Sequence, residues 1–139
     1  MGRVLGVDLG ARRVGLALSD PQRIISSPLE TLAMKSESAL LSRLIRLCQE
    51  KDVVMVVIGL PVSADGSEGP GCARARRIAE KLTAAGIPSE LVDESWSSRD
   101  AEQIVREMGK TRRTAKEKVD SIAASLILRD YLGGASPPL

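Results

Sequence analysis

The chain of 139 residues contains no histidine. That excludes Ser-His-Asp and Cys-His catalysis, imidazole proton shuttles and any zinc site with a histidine ligand. Cysteine is almost as scarce. Cys48 and Cys72 are the only two, too few for a four-cysteine zinc site, and both fall in helix-like sequence, so buried reduced thiols are expected. Phenylalanine is missing, and Trp96 and Tyr131 are the whole aromatic complement. A protein that stacks successive bases on aromatic platforms is poorly served by that inventory. No apolar run exceeds the 8 residues of Val53–Leu60, far below the roughly 20 that cross a bilayer. The N-terminus shows no charged-then-apolar stretch closed by small residues, so a cytoplasmic, membrane-free protein is the expectation. Chemistry here must rest on carboxylates, basic groups, hydroxyls or a borrowed hard metal.

The hydrophobic fraction of 43% and the charged fraction of 27% suit one ordinary soluble domain, expected over residues 1–133 with a loose tail over 134–139. The net charge of +2 says little by itself, but its distribution says more. Lys110 to Lys118 (KTRRTAKEK) carries Lys110, Arg112, Arg113, Lys116 and Lys118 against Glu117 alone. Arg74, Arg76 and Arg77 form a second group. Such clusters are what contacts to a phosphate backbone require, although a solvated surface would look the same.

Periodicity divides the chain. Arg3 to Leu9 reads as a buried strand and Gly10-Ala11-Arg12 as a tight turn into a second strand, Arg13 to Ser19. A third extended piece spans Ile24 to Leu32, and its Pro28 suggests a sheet edge. Helical spacing follows from Ser36, a plausible N-cap, to Lys51. Val53 to Ile58 has the uniformly apolar character of a central parallel strand. A Gly- and Pro-rich loop, Gly59 to Gly71, leads to a helix from about Cys72 to Ala85. Ile87 to Asp93 is a strand, Ser97 to Met108 a helix, and the stretch from Gly109 a mobile loop. Thr114 and Glu117 form a capping box opening a last helix that runs to about Leu132. Three strands in an antiparallel meander, followed by α-β crossovers, predict an α/β fold: a five-stranded mixed sheet flanked by helices, in the order of the ribonuclease H-like fold.

Three acids stand out in that frame. Asp8 lies near the end of an apolar strand, where a charge is expensive unless it is paired or binds a metal, or unless it caps the turn at Gly10. Glu94 follows the fifth strand directly, at the sheet end where sites form in α/β folds. Asp93 competes for the same role. Asp120 shares a helical face with Ala123, Ala124, Ile127 and Tyr131, so it points along the buried side, as a ligand or in a salt bridge with Lys118 or a nearby arginine. Converging carboxylates without histidine suit hard divalent ions, Mg²⁺ or Mn²⁺, and phosphodiester cleavage.

Four segments, VDLGARRVGLALSD at 7–20, IGLPVSADGSEGP at 58–70, DESWSSRDAE at 93–102 and KVDSIAASLIL at 118–128, together resemble the YqgF/RuvX family. These are ribonuclease H-like proteins described as Holliday junction resolvases and as nucleases that mature the 5′ end of precursor 16S ribosomal RNA. The resemblance implies that Asp8, Glu94 and Asp120 are catalytic metal ligands, and it favours Glu94 over Asp93. It implies that Gly59, Leu60, Pro61, Asp65, Gly66, Ser67 and Glu68 form a loop that shapes the site or the substrate groove. Arg13 and Lys118 match basic positions suited to phosphate contact, and Arg74 and Arg76 fall in the helix after the loop. One departure is Ser95, where the family carries arginine. The expected activity is metal-dependent hydrolysis of structured nucleic acid, precursor 16S RNA ahead of a four-way DNA junction. A non-catalytic module that binds nucleic acid, or a ribosomal or transcription protein, is the alternative from another class. Monomer and homodimer both stay open.

Overall fold

The computed structural model describes residues 2–10, 12–33, 35–60, 69–93 and 112–135, with backbone alone over 112–120 and 134–135. Five strands, β1 (Arg3–Leu9), β2 (Arg13–Ser19), β3 (Ser26–Ala33), β4 (Val53–Leu60) and β5 (Ser89–Asp93), form one sheet in the order β3-β2-β1-β4-β5. β1, β2 and β3 are antiparallel neighbours, and β4 and β5 lie parallel to β1 and to each other. This is the mixed sheet that the element order predicts. The helix expected over Ser97–Met108 lies outside the described residues.

The meander forms because its turns demand particular residues. Gly10 N donates to the Arg13 carbonyl at 2.8 Å, and a Cβ at position 10 would sit 2.5 Å from that oxygen. Glycine is therefore required at this turn. At the next turn the Asp20 carboxylate accepts from the amides of Ile24 and Ile25 at 2.7 and 2.8 Å. Pro28 sits on β3, an edge strand, beside a register shift that leaves Leu29 without a partner on β2. A proline costs no central ladder bond there.

Strand alternation gives the sheet two unlike faces. On one, Leu5, Val7, Leu9, Val14, Leu16, Val56 and Ile58 pack under helices α1 (Glu37–Glu50) and α2 (Pro70–Ala84). Ser36 caps α1 as expected, accepting from Ala39 N at 3.1 Å. Cys48 and Cys72 are buried and not joined in a disulfide, as expected, and burial pushes the Cys48 thiol up to about 11. The other face, with Val4, Ala17 and Val57, is covered by α3 (Arg112–Ala135) through Ala124, Ile127, Leu128 and Leu132. The approach is close because Gly6 has no side chain: a Cβ there would lie 2.9 Å from both the Ala124 carbonyl oxygen and Leu128 Cβ. Ser26 Oγ donates to the Ser125 carbonyl at 2.8 Å, and Tyr131 bonds to Glu90 on β5, so α3 crosses the whole sheet.

Two expectations for α3 are corrected. It begins at Arg112, not near Thr114, so Arg112 and Arg113 lie in its first turn and not in a loop. It runs to Ala135, past Gly133 and Gly134, where the chain was expected to loosen after Leu132.

Candidate active site

Asp8 is the natural starting point, because it is one of few polar side chains in the interior, with 7% of its surface exposed. Alternation along β1 puts it on the α3 face with Val4 and Gly6. Its partner across β2 is Gly15, which pairs in turn with Thr31 on β3. On the other side Val7 pairs with Ile58, which places Gly59 of β4 level with Asp8, and Gly59 pairs with Val92 of β5. Both strands flanking Asp8 thus present glycine beside it. The carboxylate stands in a row of the sheet whose immediate neighbours carry no side chain, a pattern found where a ligand or another backbone approaches closely. Gly15 was not singled out from the sequence as a neighbour of Asp8; the signal was glycine inside an apolar alternating strand.

The second acid comes from the end of β5. Leu91 packs with the α1/α2 core and Val92 with the α3 core. Asp93 therefore belongs to the face opposite Asp8, and it is exposed. Asp93 is thereby removed as a competitor for the Asp8 face. Glu94, one residue further, lies outside the described residues.

The third acid, Asp120, is in α3 as expected. Its backbone lies one turn before Ala124, the residue whose carbonyl meets Gly6, and Asp8 is two residues beyond Gly6. One helical turn advances about 5.4 Å and two strand residues about 7 Å, so both acids sit close to the same crossing of helix and strand. Ala123 and Ala124, the small residues on that helical face, are fully buried. Among the described residues no three acidic, cysteine or histidine side chains cluster as metal ligands; of the three acids only the Asp8 side chain is among them.

The basic residues divide. Arg13, at the start of β2, has the parity of Gly15 and so lies on the Asp8 face at its rim. Arg112, Arg113, Lys116 and Lys118 occupy the first two turns of α3 with no acid in the first turn. The mid-chain trio is not one patch. Arg77 is committed to an ion pair with Glu37 at the start of α1, and Lys81 lies 4.0 Å from the same carboxylate. The hydrogen bond from Arg77, and then its charge with those of Lys81 and Arg74, hold the Glu37 carboxyl below its ordinary value. Arg76 is exposed on α2. Arg74 Nη2 donates to the Gly10 carbonyl at 2.9 Å. Of the expected loop, Gly59 ends inside β4 and is buried, whereas Pro61, Asp65, Gly66, Ser67 and Glu68 lie outside the described residues, as does Ser95.

The whole fold is that of ribonuclease H-like resolvases. It is similar to Thermus thermophilus RuvC in complex with a Holliday junction substrate (TM-score 0.58, 15% identity, all of both chains covered). It is also similar to the fowlpox virus Holliday junction resolvase (TM-score 0.59, 16% identity, 96% of this chain and 99% of that one). At these identities the likeness speaks for the fold. The RuvX family model, whose description is Holliday junction resolvase, matches residues 2–134. Two relatives named "Putative pre-16S rRNA nuclease" match over nearly their full length. One from Chloroflexus aggregans is 38% identical over 136 residues (97% of this chain, 96% of the relative). One from Anaeromyxobacter sp. strain Fw109-5 is 41% identical over 133 residues (95% and 97%). The chain belongs to the RuvX family, a family of nucleases that hydrolyse phosphodiester bonds.

Proposed function

We propose that this protein is a metal-dependent endonuclease that matures the 5′ end of precursor 16S ribosomal RNA, with Asp8, Glu94 and Asp120 as its metal-binding and catalytic acids. The observation that carries this reading is the placement of Asp8: a buried carboxylate on the α3 face, flanked by glycine on both neighbouring strands. A charge buried in an apolar strand is costly unless it is paired or binds a cation, and glycine on both flanking strands lets a ligand approach it closely. Hard carboxylate oxygens fit Mg²⁺ or Mn²⁺, and the absence of histidine from the chain points the same way. Such ions, when bound, supply water activation and neutralise the charge that develops on the leaving oxygen.

The chain's own part is binding and orientation. Arg13 stands at the rim of the Asp8 face, and Arg112, Arg113, Lys116 and Lys118 open α3, whose N-terminal dipole adds further positive potential. Together they suit a phosphate backbone running past the acids. Arg76, exposed on α2 across the sheet from the acids, is assigned a phosphate contact away from the reacting bond. β4 ends at Leu60, one residue past the level of Asp8, and the 61–68 segment that follows is assigned the role of shaping the groove.

RNA is favoured over a branched DNA substrate because the names of the relatives at 38 and 41% identity specify precursor ribosomal RNA. The family description favours the second reading, a junction resolvase, which would need two coordinated cuts and therefore a symmetric dimer. An rRNA-processing role fits a cytoplasmic protein that meets ribosomal or transcription proteins, and among the described residues no helix is long and apolar enough to cross a membrane.

The test is metal-linked stability. Mn²⁺ or Mg²⁺ at a hundred times its dissociation constant should stabilise the fold by about 2.7 kcal/mol and raise the melting temperature. Asp8→Asn should abolish that rise. A parent protein whose melting ignores both ions would instead be a binding module.

A further inference from the structure

We infer that Arg74 is a positioning residue for the Asp8 end of β1, and not a contact to the substrate backbone; this rests on Asp8 being a catalytic acid. Arg74 belongs to α2, which packs on the sheet face opposite α3 and Asp8. Its guanidinium reaches the rim of the sheet and donates from Nη2 to the carbonyl of Gly10, two residues after Asp8. Its Nε is buried, with no hydrogen-bond partner among the described residues. A phosphate-binding arginine presents its fork to solvent; this one has part of its fork inside the protein.

The carbonyl it holds belongs to a turn with little freedom. Gly10 N donates to the Arg13 carbonyl, and the 2.5 Å clearance at the Gly10 Cβ position forbids any other residue without a backbone shift. That turn joins the last residues of β1 to the first of β2, so it sets the relative placement of Asp8, its cross-strand neighbour Gly15, and Arg13 at the rim. Arg74 ties this turn to α2 from below. A partly buried cationic donor on a carbonyl is among the stronger neutral-to-charged hydrogen bonds, and it resists the small displacements that cost a catalytic site most. Arg77, one turn nearer the middle of the same helix, is spent on Glu37 and supplies a matched control.

The experiment compares Arg74→Ala, Arg74→Lys and Arg77→Ala with the parent. It reads cleavage of precursor 16S RNA in Mn²⁺, RNA affinity in EDTA across a salt series, and amide exchange over residues 10–13. Arg74→Ala should lower kcat about tenfold or more, as loss of an outer-shell support does. Its RNA affinity and salt slope should stay within twofold of the parent, and exchange at the turn should speed up. Arg74→Lys, which keeps one donor for the Gly10 carbonyl, should recover part of both losses, while Arg77→Ala should behave as the parent. Unchanged kcat with weaker binding and a salt slope reduced by about one would make Arg74 a phosphate contact and overturn the inference. Unchanged exchange at residues 10–13 would overturn it as well. Should Arg74→Ala fail to fold, Arg74→Lys decides on the same readings. A parent that cuts no RNA refutes the nuclease reading, and the exchange data then judge the anchoring of the turn alone.

Discussion

Single side chains carry the polar logic of this fold. Asp8 was legible in the sequence because a charge inside RVLGVDL contradicts the strand around it. Its glycine neighbours were not legible, since they depend on the register that sets Gly15 and Gly59 level with Asp8. Asp93 shows the same limit: only the packing of Leu91 and Val92 before it assigns Asp93 to the side opposite Asp8. Away from the site, two carboxylates act as structural clasps. Backbone amides, that of Ile25 foremost, hold the Asp20 carboxyl below its ordinary 3.8, and Arg77 holds Glu37 below its ordinary 4.5. A carboxyl depressed in the folded state stabilises the fold above its unfolded value and loses that contribution as pH falls through the folded one. Denaturant midpoints measured from pH 7 to pH 3 should therefore hold steady to about pH 5 and then decline. Glu37→Gln should lower the neutral midpoint slightly and flatten the decline.

Elements and their crossings come next. The strands and α1 were readable because local signals agreed: alternation in β2, an apolar run in β4 and a serine cap at Ser36. The start of α3 was misread because the Thr114–Glu117 pair resembles a capping box, while Arg112 and Arg113, good helix formers, continue the helix upstream. The contact that brings α3 close to β1, Gly6 against Ala124 and Leu128, is a tertiary fact with no local signature beyond a glycine in a strand. Gly6→Ala should force helix and sheet apart and cost about 1–3 kcal/mol, measured by urea unfolding. A change below 0.5 kcal/mol would mean that the crossing relaxes easily. Replacing Arg112 and Arg113 together by alanine should flatten the salt dependence of RNA binding by about two phosphate contacts. An unchanged slope would take the helix start out of the substrate path.

At the scale of the whole molecule, the sheet keeps its two faces distinct in purpose. The α1/α2 side is a wide apolar core, and the α3 side pairs a smaller core with the small residues around Asp8, where we propose the site. Element order alone carried the topology, since a three-stranded meander followed by crossovers leaves few ways to build one sheet. Substrate identity lies beyond that reasoning, because resolvases and RNA nucleases share this frame. The decisive measurement offers precursor 16S RNA and a four-way DNA junction side by side in Mn²⁺ or Mg²⁺, with Asp8→Asn and Asp120→Asn as controls. The account predicts cleavage of the RNA near its 5′ end, lost in both variants, and an intact junction. Paired symmetric cuts in the junction with the RNA untouched, or RNA cleavage that survives either substitution, would contradict it.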